Sequence, residues 1–252
     1  MEYPAIKYLY KFYSYNVHSL SVLINNKVRF SKPEALNDPF DIDIDFISPI
    51  SPDNFVYKMK VLKNNGMISK EQFEDYEKYI PDHEALNEIS EIMNEKFRDD
   101  IKKWGVFCMC EHPKNILMWS HYADHHKGFC VKFIRNEKSQ LGDIEKTRPV
   151  NYSCKYPSPD PFSENGMEKL FDELFFTKAK NWEYEKEWRM LNEEGGIELL
   201  VPGKITAIIF GLKMPVQERE TIKNILSHRK NISFLKTIKV KNRYELEIVE
   251  VK

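Results

Sequence analysis

Three glutamates recur at every second position in Trp182-Glu183-Tyr184-Glu185-Lys186-Glu187-Trp188-Arg189. In an extended strand this spacing places Glu183, Glu185, Glu187 and Arg189 on one face. Trp182, Tyr184, Trp188 and Met190 share the other face, with Lys186 between them. Carboxylates crowded on one face repel unless solvent, cations or ligand hydroxyls separate them. The flanking tryptophans imply a packed strand, so one or two of the glutamates are expected to face a cleft. A carboxylate in such a cleft can stabilise positive charge that develops in a transition state. An ordinary solvated edge strand would carry the same pattern.

A second cluster is Met118-Trp119-Ser120-His121-Tyr122-Ala123-Asp124. On a helix, Trp119 and Tyr122 lie on one face, and Ser120 and Asp124 on another. These are either core anchors with a polar tip or the wall of a binding site. A third cluster joins Tyr10-Lys11-Phe12-Tyr13-Ser14 to Asn37-Asp38-Pro39-Phe40-Asp41. Its plain reading is an edge strand followed by a structural Asx-Pro turn.

Cys108-x-Cys110-x-His112 puts three potential ligands on one strand face, with His121, His125 and His126 downstream. Zinc sites usually use Cys-x-x-Cys knuckles, so these thiols are expected to be metal-free. No base is assigned to Cys130 as a nucleophile. The chain carries no P-loop, GxGxxG, GxSxG or HExxH pattern.

The elements that must position these residues are read from periodicity. Strands are expected near 6–12, 105–112, 129–134, 183–190 and 206–211, with two more in the last twenty residues. Residues 17–25 space their apolar side chains as a short helix, and NKVRF reads as a short strand ended by Pro33. Ile42, Ile44 and Phe46 alternate with Asp41, Asp43 and Asp45 as in a half-buried strand. Residues 53–103 are charged and mostly helical, with a capping box at Ser69 and Gln72. Residues 113–128 read as a loop and a helix stopped by Gly128. EKLFDELFFTKAKNW reads as a helix, as does PVQERETIKNILSHR. Strands and helices mix without a βαβ rhythm. The expected architecture is therefore α+β: one globular domain over 1–252, with a central mostly antiparallel sheet, flanking helices and a helical block at 53–103.

The bulk properties exclude more than they assign. Lys and Arg number 38 against 39 Asp and Glu, a formal net charge of −1. No global field therefore draws the chain to nucleic acid or anionic lipid. MEYPAIKYLYKFYSYN has no apolar run after a basic start, so no secretory signal is expected. No stretch approaches the roughly 20 apolar residues of a membrane span. The expectation is a cytoplasmic chain whose four cysteines are reduced.

YLYKFYS, ALNDPFD, GVFCMCE, NILMWSHYADHHKGFCVKF, KAKNWEYEKEWRML and AIIFG together resemble the prokaryotic domain-of-unknown-function family 2971. The resemblance spans nearly the whole chain apart from 53–103. In that family Arg is common where this chain has Tyr13, and Ser is common at Cys108 and Cys110. These departures count against a basic group at 13 and against zinc. Nothing in the residues encodes a biological setting such as phage defence.

More remotely, the order of the clusters looks like that of ADP-ribosyltransferases. The likeness implies NAD as substrate, with no tightly bound cofactor and no metal. It implies Lys11, Tyr13, Trp119, Ser120 and His121 as cofactor-binding residues, and Glu187, Glu185 and Tyr122 as catalytic ones. Glu187 would stabilise the cation formed as nicotinamide leaves, and Glu185 would act on the acceptor, a nucleic acid or a protein. A second reading is a metal-dependent nuclease or phosphoesterase using Asp38, Asp41, Glu185 and Glu187 as Mg²⁺ ligands. A third is a non-enzymatic domain that senses a ligand through an aromatic cleft.

Overall fold

The computed structural model describes residues 2–43, 50–78 and 82–251. In chain order the strands are β1 Tyr8–Tyr13, β2 Lys27–Arg29, β3 Gly105–Cys110, β4 Phe129–Ile134, β5 Thr147–Pro149, β6 Asn151–Ser153, β7 Thr177–Ala179, β8 Glu187–Asn192, β9 Glu198–Leu200, β10 Ile205–Phe210, β11 Ser233–Lys239 and β12 Leu246–Glu250. The α-helices are α1 Val17–Asn25, α2 Pro52–Asn64, α3 Lys70–Lys78, α4 His83–Ile101, α5 Ile116–Tyr122, α6 Gly166–Phe176 and α7 Val216–Ile225. The chain divides into two compact units. One holds residues 1–32, 105–150 and 181–252; the other holds 33–104 and 151–180.

The first unit is organised by a sheet of eight strands among the described residues, ordered β12-β11-β10-β4-β1-β3-β8-β5. β4 and β10 sit inside it, and their sequences, FCVKFI and ITAIIF, are near-continuous apolar runs, as burial on both faces demands. Neighbours pair antiparallel except β10 and β11, which run parallel. α7 lies between those two strands in the chain, because a parallel pair needs a crossover rather than a hairpin. The α+β class expected from the sequence, with its mostly antiparallel sheet and helices beside it, is the one observed.

The register separates two sheet faces. Tyr10 stands opposite Cys110, and Cys110 opposite Glu187. Leu9, Phe107, Met109, Val131, Phe133 and Trp188 form the opposite face and pack with Val22 and Leu23 of α1 and Ile222 of α7. The Tyr10 face carries Phe12, Cys110, Cys130 and Ile209, covered by Met118 and Trp119 of α5.

α1 begins where the spacing predicts. Asn16 accepts from the Ser19 amide at 2.9 Å while the Ser19 hydroxyl accepts from the Asn16 amide at 3.0 Å, a reciprocal cap. Gly128 does not stop the helix before it: α5 ends at Tyr122, six residues earlier. A Cβ at Gly128 would lie 2.0 Å from the Tyr13 carbonyl oxygen, so glycine is required by close backbone approach. Gly128→Ala is therefore expected to destabilise by at least about 2 kcal/mol, in the range of overpacking. A urea midpoint unchanged from wild type would show that β1 and β4 can yield.

The second unit holds α2, α3, α4 and α6, with the parallel pair of β6 and β7. Its core gathers Ile50, Phe55, Met59, Phe73, Leu86 and Phe162. Ser69 and Gln72 make both bonds of the expected capping box, at 2.8 and 3.1 Å. The helix expected over 168–182 ends at Phe176, and β7 follows it. Of the strand expected at 41–46, Asp41 and Ile42 form a turn, Asp43 lies outside any strand, and residues 44–46 lie outside the described residues.

Candidate functional site

The strand expected over 183–190 is two elements. Lys180–Glu185 form a 3-10 helix, Lys186 takes a left-handed φ of 46°, and extended backbone starts only at Glu187. The 3-10 period of three aligns Trp182 with Glu185 rather than Glu183 with Glu185. Glu183 therefore leaves the set and faces Lys186 at 3.7 Å near solvent. Glu185 and Glu187 turn inward, 3% and 4% exposed.

α5 is aimed at this break by one side chain. Asn115 Oδ1 accepts from the Leu117 amide at 2.9 Å and so caps the helix. Its Nδ2 donates to the Tyr184 carbonyl at 2.7 Å. The far end of α5 is held by Asp124, His125 and His126, all left-handed with φ of 43°, 52° and 73°. Consecutive non-glycine residues in that region are strained. They are retained by the His125 and His126 amides, which donate to Ser120 and Trp119 carbonyls, and by Gly128, whose amide donates to Ala123.

Between these fixed ends the Tyr122 hydroxyl donates to Glu185 Oε1 at 2.6 Å. Exposed His121 stands beside it, its ring 6.2 Å from Tyr122, 6.4 Å from Trp182 and 6.5 Å from Tyr184. Trp182 and Tyr184 are only partly buried and lie 6.0 Å apart. Glu187 is held differently. Arg189 grips it with Nε to Oε1 at 2.7 Å and Nη2 to Oε2 at 3.2 Å, a bidentate pair inside the protein. Cys108 stands opposite Arg189 on β3. Burial, and then the neighbouring Glu187 carboxylate, push its thiol up to about 12. Burial likewise raises Cys110 to about 12 and, in the same line across the sheet, the Tyr10 hydroxyl to about 12. Groups so raised stay protonated and neutral at physiological pH, which excludes a resting thiolate. The four cysteines are free.

The structure thus joins Tyr122, His121 and Glu185, sets Glu187 against Arg189 on β8, and leaves other expected residues elsewhere. Lys11 and Tyr13 alternate with Tyr10, so their side chains leave the opposite face of the sheet. Lys11 Nζ sits 5.4 Å over the Phe107 ring, and Tyr13 stacks on Phe129. Trp119 is fully buried, its Nε1 donating to the Pro113 carbonyl at 2.7 Å and its ring edge-on to Phe12; it anchors α5. Ser120 Oγ bonds the Ile116 carbonyl at 3.0 Å and lies 3.3 Å from His126 Nε2. Asp38 and Asp41 belong to the second unit. There Asp38 accepts from the Phe40 amide at 3.0 Å, and Asp41 lies 3.7 Å from buried Lys178. Among the described residues no three His, Cys, Asp or Glu side chains converge as a metal site.

His126 gives a pH-dependent expectation. Its ring stacks 6.3 Å from Trp119. Burial, and then Lys213, His125 and Lys239, lower its pKa. The unfolded chain therefore takes up this proton first as the pH falls. The stability that the neutral ring contributes is complete above about pH 6.5 and declines below it, toward the folded pKa. Between pH 7 and pH 5, His126→Gln should lose less stability than wild type in urea titrations. Parallel losses in the two proteins would assign the acid sensitivity to other groups.

The fold and the cluster define an α+β protein with a Tyr–Glu pair under an aromatic wall and a separate buried Glu–Arg pair. Residues 118–190 match the family described as Protein of unknown function (DUF2971). The match runs from α5 to β8 and contains Tyr122, Glu185, Glu187 and Arg189, so the resemblance read from the motifs holds over the site. No curated protein and no solved structure matches the chain. No helix among the described residues is long and apolar enough to cross a membrane.

Proposed function

We propose that the Tyr122–Glu185 pair is the reacting centre of an ADP-ribosyltransferase-like enzyme that uses NAD as substrate. The observation that carries the reading is the 2.6 Å hydrogen bond from Tyr122 to buried Glu185, beside the rings of His121, Trp182 and Tyr184. A planar nicotinamide suits such a wall. As the C–N glycosidic bond breaks, nicotinamide leaves with the bonding electrons and positive charge develops on the ribose. The Glu185 carboxylate, poorly screened by water, stabilises that charge. The acceptor nucleophile, on a nucleic acid or a protein, then bonds to the ribose carbon, and its proton passes to Glu185.

Position within the Glu-x-Glu pair alone would favour Glu187. Glu187, however, is held by the bidentate Arg189, whereas Glu185 receives the Tyr122 hydroxyl beside the rings of His121, Trp182 and Tyr184. We therefore assign Glu185 the electrostatic role, Tyr122 the placement of that carboxylate, and Glu187 the fixing of β8 beneath it.

The test is incubation of purified protein with NAD and nucleic-acid or protein acceptors, with and without EDTA. Nicotinamide release that survives EDTA and falls in Glu185→Gln supports the reading. Release that requires magnesium, or no NAD binding at about millimolar concentration, overturns it.

A further inference from the structure

A groove of about 990 Å³ opens in the first unit where β4 ends, β10 begins and the loop after α7 passes. It shares no residue with the Tyr122–Glu185 site, and its role is independent of the chemistry proposed there. Among the described residues its charged lining is of one sign: Lys138, Lys204, Arg229 and Lys230, with His228 alongside and no aspartate or glutamate. That is unexpected in a chain whose basic and acidic residues number 38 and 39. Among the described residues, no carboxylate forms an ion pair with any of these four cations. Lys138, Lys204 and Lys230 are exposed and Arg229 is half-buried; like charges gathered around a concave surface repel one another, and an anion relieves that repulsion.

The groove is also built rather than incidental. Asn26, in a left-handed conformation at the end of α1, ties two of its walls. Its carbonyl accepts from the Val201 amide at 3.0 Å, and its Oδ1 accepts from Arg229 Nη1 at 3.2 Å. Arg229 is thereby oriented with further N–H groups to offer, an arrangement suited to phosphate oxygens. The floor is aliphatic, from Ile134, Val201, Ile205 and Ile232. Among the described residues no Phe, Tyr or Trp lines the groove. Strands of nucleic acid are usually held by successive bases stacking on aromatic rings, and this groove has no such platform among those residues. An apolar floor under a cationic rim, of bounded volume, fits one compact ligand with an apolar part and several phosphate charges.

We propose that this groove is a binding site for a phosphorylated small molecule of nucleotide size, its phosphates on Lys138, Lys204, Arg229 and Lys230 and its uncharged part on the aliphatic floor.

The test is calorimetric titration of the full chain at low salt with ATP, inorganic tripolyphosphate and a short single-stranded oligonucleotide. ATP is expected to bind more tightly than about 1 mM, and tripolyphosphate more weakly because it leaves the floor empty. Lys138→Glu with Lys204→Glu should weaken ATP at least roughly tenfold. Lys138→Gln with Lys204→Gln should weaken it less, and this milder pair serves if the charge reversal does not fold. Glu185→Gln, in the other site, should leave ATP binding unchanged. No ATP binding, or equal affinity in wild type and both lysine double variants, overturns the proposal. So does tripolyphosphate binding as tightly as ATP, which would leave a bare anion site, or an oligonucleotide outcompeting ATP, which would assign the groove to nucleic acid.

Discussion

Glu185→Gln is expected to slow nicotinamide release by about a hundredfold or more while leaving the fold intact. Glutamine keeps the volume of the side chain and still offers an oxygen to the Tyr122 hydroxyl, now 2.6 Å away. What it removes is the negative charge. Loss of one charged contact to a developing cation costs about 3 kcal/mol, and each 1.4 kcal/mol is a factor of about ten in rate. Tyr122→Phe removes the bond that aims the carboxylate but not the charge, so its effect should be smaller, roughly tenfold. Glu187→Gln distinguishes the two glutamates: if it slows the reaction more than Glu185→Gln at equal folded fraction, the assignment of roles is reversed. Wild-type rates in Glu185→Gln, with melting unchanged, would remove the reacting centre from this cluster altogether.

Those substitutions are chosen from geometry that one-dimensional spacing conveys only in part. The core of the sheet was legible because β3, β4 and β10 are apolar runs too short for helices and bounded by loop residues. α1 was legible for the opposite reason, since Val17–Asn25 has helical spacing. The segment 182–190 was misleading. Alternation of aromatic and acidic residues suits a strand, but a 3-10 turn followed by a left-handed Lys186 satisfies the same letters with a different set of inward groups. Local preference could not decide between them, because the choice is made by contacts from afar. Asn115 holds the Tyr184 carbonyl, and the Glu111 amide bonds the Lys186 carbonyl at 3.2 Å.

The candidate cluster was legible only in part: Tyr122, His121 and Glu185 lie together, while Lys11, Tyr13, Trp119 and Ser120 take other places. Alternation along β1 separates Lys11 and Tyr13 from Tyr10, yet nothing in β1 says which face meets the glutamates. That is settled by the register of two other strand pairs, Tyr10 with Cys110 and Cys110 with Glu187. The Arg189 grip on Glu187 could have been suspected, because residues two apart on a strand share a face. Its burial could not, since it depends on β3 and β5 lying on either side of β8.

Arg189→Ala is expected to destabilise the protein by about 3–5 kcal/mol, with a fall in melting temperature of roughly 10 °C for a chain of this size. Arg189 is fully buried and Glu187 is 4% exposed, so removing the guanidinium takes a bidentate partner from a carboxylate that water hardly reaches. Most of that cost comes from the poorer compensation of a buried charge rather than from the lost attraction itself. The consequence is specific: Arg189→Met combined with Glu187→Leu, which removes both charges and fills the space with apolar atoms, should recover much of the stability lost in the single variant. The double variant also separates stability from chemistry. If Glu187 only fixes β8, Arg189→Met with Glu187→Leu should retain nicotinamide release to within roughly tenfold once it is folded. Melting of Arg189→Ala within about 2 °C of wild type would show that the pair is not a buried charge balance. A folded double variant without activity would return Glu187 to the reacting centre.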